Sequence, residues 1–555
     1  MNYRLCAASV VFQLVCAAAP PRGIVVTYHP EATEAGEAIL QAGGNAVDAF
    51  VAATFAEYVV AEGGTSMAGV LGALVYDARS QKVEYLDADY NEVGDPGGRY
   101  GTWDGLLQWA GFDRSGKTVL VPGAVAGLEA MSKRHGKLEF SRVLQPAIDL
   151  ARNGFQLSEF YAVVLQWSER TLKSSEYGRN TFFYKSGNPL IKGDKLKQPA
   201  VADFLTKIAR QGSAYMYRGD WAKECVRLAN AQSGRISLAD LANYKPDWRT
   251  PNRIQYRGYD LYGPGGRDWG GIWVNLALRA MEYGPSLQAL GHYSNSADAL
   301  EIVTRTTRQV WAELPWMENP AVLDNPLEVE SHMSRIQGER IWKQVAGKLP
   351  ARVRQSRGSH SYHIIVVDKD GNIASGTNSI QSLPWGDGTF VEGIPLNQSG
   401  YLVSKSGAGE RRADALTMHF GFRDGKFRFA TGSFTGSLLE TNFQFLLNLI
   451  DYKLPAEAAV SLPRIGSFPY DLAGNYDANS NWADPEIGPS IINEVKGRGL
   501  KFTQTGPLIC TGLDTGLGVV VVTNPDGTYT GARAPWPGLT APWRSCATGA
   551  ERGVY

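Results

Sequence analysis

Hydrophobic and polar positions change period several times along the chain. From Glu31 to Gln41 the apolar residues Ala35, Ala38, Ile39 and Ala42 fall on one helical face, and Gly43-Gly44 ends the run. Asn45 is placed to cap a second helix that begins Ala46-Val47-Asp48-Ala49. The period then shortens. Gly69 to Tyr76 reads as a buried strand, with Val83 to Leu86 as its partner across a Ser80-Gln81-Lys82 turn. Val121 to Gly127 reads as a turn feeding a helix, and the stretch from about Gln145 to Arg340 as mostly helical. Arg352 to His360 is basic and polar with no apolar period, which predicts an exposed loop. Beyond it strands return: Ile364–Asp368, Ile373–Thr377, Phe427–Thr431 and Gly518–Val522, with Asp424-Gly425 and Asp526-Gly527 as hairpin signals. A helix from Leu438 to Ile450 presents Leu439, Phe443, Leu446 and Ile450 as its core face. Mixed helix-rich and strand-rich stretches point to layered α+β packing, not a Rossmann unit.

Composition narrows the function. The 555 residues carry 55 basic and 55 acidic side chains, so the chain is no general polyanion binder, and no nucleic-acid partner is expected. The first residues have the pattern of a leader. Arg4 is the sole charge before Arg22, Leu5 to Val15 is apolar, and Ala17-Ala18-Ala19 offers small residues for cleavage. A signal peptide over 1–19 and a secreted or periplasmic location are expected; a buried N-terminal strand or helix is the alternative. No later run is long enough for a membrane span. Of five cysteines (Cys6, Cys16, Cys225, Cys510, Cys546), three remain after a leader is removed, which is no disulfide framework. Cys510 and Cys546 could pair; the sequence leaves this open. The scattered His residues and the absence of Cys-x-x-Cys or His-Glu-x-x-His give no metal site and imply no cofactor.

Candidate chemistry centres on Ser361-Tyr362-His363, a hydroxyl leading into a buried strand behind the polar loop. If the chain breaks between His360 and Ser361, one residue gains an attacking hydroxyl and a free α-amine. That amine, with a reference pKa of about 7.7–8, can act as the base near neutral pH. Taken alone, a Ser before a strand is more often a solvated loop residue.

Five runs carry a resemblance: His29-Pro30-Glu31-Ala32-Thr33-Glu34-Ala35-Gly36; Gly43 to Ala49; Val121-Pro122-Gly123 with Ala126-Gly127-Leu128; Pro146-Ala147-Ile148 with Ala151 to Phe155; and Val366-Val367-Asp368 through Gly371-Asn372. In order and spacing the chain resembles the gamma-glutamyltransferase family of N-terminal-nucleophile hydrolases from about Gly23 onward. The resemblance implies a four-layer αββα sandwich and a proenzyme cut into a large part (23–360) and a small part (361–555) that form one composite domain and a heterodimer. It places Ser361 at the family's nucleophilic Thr, Ser379 at the Thr that supports it, and Thr435-Gly436 at the Gly-Gly oxyanion hole. Gln381 stands where an Asn binds substrate.

The glutamyl pocket departs from the pattern. Asp89 stands where the family has the carboxylate-binding Arg, Asp414 and Ala415 where it has Ser-Ser, and the amine-binding run becomes Asn397-Gln398-Ser399. Two carboxylates in place of a cation should exclude an ordinary γ-glutamyl group. Either a cationic substrate group faces Asp89 and Asp414, or these carboxyls bond to neighbouring N–H groups or point to solvent. The resemblance therefore implies an amide hydrolase or acyltransferase acting on a small-molecule amide. The alternatives are a non-catalytic member, a specialised biosynthetic member such as a carbon–carbon bond hydrolase, and an ordinary glutathione hydrolase.

Overall fold

The computed structural model describes residues 23–61, 63–95, 115–351, 361–401, 405–467, 480–504 and 516–535. The expected leader, His360 with the loop before it, Cys510 and Cys546 lie outside the described residues.

Two six-stranded antiparallel sheets form the centre. Sheet I takes β1 (Ile24–Val26), β2 (Val70–Asp77), β3 (Lys82–Ala88) and β4 (Asp247–Arg249) from the first part of the chain. It takes β7 (Ser361–Val367) and β8 (Ile373–Ser379) from the second, in the order β1-β7-β8-β2-β3-β4. Sheet II combines β5 (Asn252–Tyr256) and β6 (Tyr259–Gly263) with β9 (Thr417–Arg423), β10 (Lys426–Phe434), β11 (Leu517–Thr523) and β12 (Tyr529–Arg533), in the order β12-β11-β10-β9-β6-β5. The inner faces meet in an apolar layer that includes Leu74, Ile365, Val367 and Ile373 from sheet I and Met418, Phe420, Val519 and Val521 from sheet II.

Helices cover both outer faces. On sheet I lie α1 (Pro30–Gln41), with Pro30 pre-set at its first position, and α2 (Ala46–Val60). Asn45 caps α2 as the sequence predicts: its side chain accepts from Val47 and Asp48 N–H while the Asp48 side chain accepts from Asn45 N–H. On sheet II lie α3 (Gly270–Met281) and α4 (Leu438–Leu446). The molecule is thus α+β, with helix, sheet, sheet and helix layers.

Two stretches differ from the sequence expectation. The helical middle also contains the β5–β6 hairpin, which forms one edge of sheet II. The helix expected to run to Ile450 stops at Leu446, and Leu447–Asp451 continues as a wider π turn. There the Asn448 side chain is held from two sides, by His292 and by the Ala459 carbonyl. Among the described residues no helix is long and apolar enough to cross a membrane.

Candidate active site

Ser361 is the first residue of β7 and pairs directly with Ser379, the last residue of β8. Residues directly opposite share a face of the sheet, so both hydroxyls point toward sheet II. Their Oγ atoms are 2.8 Å apart, and Ser379 Oγ also accepts from Gln381 N–H at 2.9 Å. Both residues are buried, Ser361 being 6% exposed. From below, Gly69 packs on the Ser379 carbonyl so closely that a Cβ would lie 2.2 Å from its oxygen. Only glycine fits at this position, because backbone approaches backbone.

His363, two residues along the same face, is not a base for Ser361. Its Nδ1 lies 2.7 Å from Thr377 Oγ1 and its Nε2 lies 2.8 Å from Ser375 Oγ. Full burial pushes its pKa down to about 3, so the ring is neutral at ordinary pH.

Sheet II supplies the turn after β10. A Cβ on Gly432 would lie 2.0 Å from His363 Nε2, and the rings of Phe434 and Tyr362 are 5.4 Å apart. These contacts bring the Thr435-Gly436 turn beside the start of β7. Thr435 has φ +74°, a left-handed conformation that a non-glycine residue adopts at a cost. Among the described residues the Gly436 N–H donates to no backbone carbonyl, and Gly436 is partly open to solvent. A free N–H at the entry to α4 is suited to a developing oxyanion.

The residues marked as substrate contacts separate into two groups. Gln381 has φ +50°, is 4% exposed, and its Oε1 has no partner among the described residues. By contrast, Asn397 is saturated by backbone. Its Oδ1 accepts from Leu120 N–H, and its Nδ2 donates to the carbonyls of Ala68 and Leu120. Ser399 Oγ lies 2.9 and 3.1 Å from the carbonyls of Ile380 and Gln381. Ser399 thus braces the 379–381 turn, while Asn397 ties the backbone at Ala68 to that at Leu120.

Asp89 and Asp414 come together. Burial, and next the Asp414 carboxyl against it, raise the Asp89 pKa well above the carboxylate range. Each also accepts its successor's N–H: Tyr90 N at 2.5 Å and Ala415 N at 2.8 Å. Asp268 is likewise pushed well up by burial and receives the Tyr85 hydroxyl at 2.5 Å. A cation missed by sequence reasoning lies alongside. Arg411 Nη1 is 3.3 Å from Asp87 Oδ1 and donates to the Asp89 carbonyl and the Tyr244 hydroxyl, each at 2.6 Å. The signal was the Arg411-Arg412 pair, but its direction depends on contacts far away in sequence. Each carboxyl thus bonds to a neighbouring N–H, as one of the two expectations has it, while Asp414 Oδ2 is buried with no hydrogen-bond partner among the described residues.

A sequence profile of the family described as Gamma-glutamyltranspeptidase matches residues 32–512. The chain belongs to that family. Like its relatives, this gamma-glutamyltranspeptidase family member is an N-terminal-nucleophile hydrolase, and so an enzyme. It is 28% identical over 537 residues to the Acylase ACY 1 proenzyme of Pseudomonas sp. (strain SE83), covering 92% of this chain and 91% of that one. To the Glutathione hydrolase proenzyme of Escherichia coli (strain K12) it is 28% identical over 486 residues, covering 80% of each. Among solved structures, cephalosporin acylase from Bacillus halodurans superposes with a TM-score of 0.78 at 21% identity, covering 95% of this chain and 98% of that one, which supports the fold.

Proposed function

We propose that this family member is a proenzyme that cuts itself between His360 and Ser361 and then works as an amide hydrolase or acyltransferase with Ser361 as its N-terminal nucleophile. The observation that carries this reading is the buried Ser361–Ser379 hydroxyl pair at 2.8 Å, with the strand's own His neutral and bonded elsewhere. The base is then the α-amine that cleavage creates. In this mechanism the Ser361 hydroxyl attacks the amide carbonyl while its proton passes to the α-amine. The tetrahedral oxyanion is held by the N–H groups of Thr435 and Gly436, each donor contributing about 3–4 kcal/mol. Collapse expels the amine, which takes the proton back. Water or a second amine attacks the ester and frees Ser361.

The relatives named as proenzymes support self-cleavage, and the presence of an acylase and a glutathione hydrolase among them leaves the acyl group open. The buried Asp89 and Asp414 carboxyls, with the Arg411 guanidinium held by Asp87, the Asp89 carbonyl and Tyr244, support a substrate other than an ordinary γ-glutamyl group. Arrival outside the cytoplasm through a leader belongs to the same proposal.

The test is the intact mass of the purified protein beside a Ser361→Ala variant. Two fragments, the smaller starting at Ser361, with one uncut chain in the variant, are expected. The mature protein should then hydrolyse simple acyl anilides faster than γ-glutamyl anilide. An uncut wild-type chain, or turnover by Ser361→Ala, overturns the reading.

A further inference from the structure

Successive strand residues alternate faces, so Tyr362 and Asn378, next to the two serines, face the helices. There the structure holds a carboxylate with no part in the chemistry above. Glu57 lies on α2 and is fully buried. Its Oε2 accepts from Asn378 Nδ2 at 3.2 Å, and its Oε1 lies 3.3 Å from His29 Nδ1. Asn378 directly precedes Ser379 and is paired with Tyr362. The His29 ring packs edge-on against the Tyr362 ring, with centroids 4.8 Å apart at 63°. One carboxylate thus reaches the neighbours of both hydroxyl-bearing residues, from the face of the sheet opposite the two hydroxyls.

We propose that Glu57, acting through Asn378 and through His29 on Tyr362, is a positioning residue that sets the Ser361–Ser379 geometry. A fully buried carboxylate is a poor source of stability even when paired, because its desolvation offsets much of what its partners contribute. The contacts to Asn378 and His29 instead give it a directional hold on the strand ends. Displacements on the order of 1 Å at reacting atoms can lower rates about a hundredfold. This inference rests on Ser361 being the nucleophile.

The experiment compares wild type with Glu57→Leu, Glu57→Gln and Asn378→Ala, with Ser361→Ala as control. Two rates are measured in each: self-cleavage by intact mass over time, and the burst of p-nitrophenolate when p-nitrophenyl acetate acylates the nucleophile. Glu57→Leu leaves Asn378 Nδ2 without this acceptor, so it should fold with a somewhat lower melting temperature and lose roughly tenfold to a hundredfold in both rates. Glu57→Gln, which keeps an acceptor for Asn378 Nδ2, should recover most of the loss. Asn378→Ala should fall as Glu57→Leu does, and serves as the informative variant if Glu57→Leu does not fold. Wild-type rates in folded Glu57→Leu or in Asn378→Ala overturn the inference. A burst or cleavage in Ser361→Ala overturns the nucleophile assignment instead, so the two failures are distinct.

Discussion

Thr435 occupies a backbone conformation that glycine adopts freely. Its φ of +74° stores strain at the turn assigned to the oxyanion. Because the donors there are backbone N–H groups, Thr435→Gly should keep turnover while raising stability by about 1 kcal/mol, read from the midpoint of chemical denaturation. A second residue-scale prediction concerns pH. Asp89 holds its proton in the folded state at pH values where the unfolded chain has lost it, since burial and Asp414 raise its pKa. The folded state then binds more protons, and stability falls as pH rises above the ordinary carboxylate range toward the raised folded value. Asp89→Asn has no such proton to lose, so it should gain on wild type as pH rises from 5 to 8; a constant difference between the two unfolding curves would refute this. At this scale the sequence was legible in putting the Ser361 and Ser379 hydroxyls together, 2.8 Å apart at the paired ends of β7 and β8. It was not legible where a role depends on who sits opposite. Asp89 lies against a second carboxyl, which with burial raises its pKa, and Asn397, marked for substrate, spends its side-chain polar atoms on the backbone of Ala68 and Leu120.

At the scale of elements, period and punctuation carried most of the information. The capping Asn45, the buried strand after Gly69 and the hairpin at Asp424-Gly425 all stand where local chemistry puts them. The β5–β6 hairpin was hidden inside a helix-rich stretch, although Arg253-Ile254-Gln255-Tyr256 alternates and Arg257-Gly258 turns with positive φ at both positions. Four or five residues of alternation do not outweigh long flanking helices until the sheet they join is known. Likewise β7 begins at Ser361 and not at Ile364, because pairing with β8 extends the strand. The contact between sheets gives a prediction for a whole element. Gly432→Ala would place a methyl 2.0 Å from His363 Nε2, a ring already fixed by two hydroxyls. Overpacking of this kind should cost about 3 kcal/mol and impair cleavage at Ser361, measured by denaturation and by intact mass.

Across the whole molecule, neither part of the chain owns a sheet. β7 and β8 lie between β1 and β2, and β9 pairs with β6, so strands from both sides of the His360–Ser361 bond hydrogen-bond to one another in both sheets. The cleaved protein should therefore elute from gel filtration as one species of undivided size, and separate into two pieces only in denaturant. This also changes what the protein can recover from. The uncut chain refolds as a unimolecular event, independent of concentration. Once cut, two pieces must find each other while each exposes unpaired strand edges that readily join the wrong neighbour. Maturation would thus turn a reversible fold into one that is passed through once, and the mature enzyme would persist through slow unfolding and not through its ability to return.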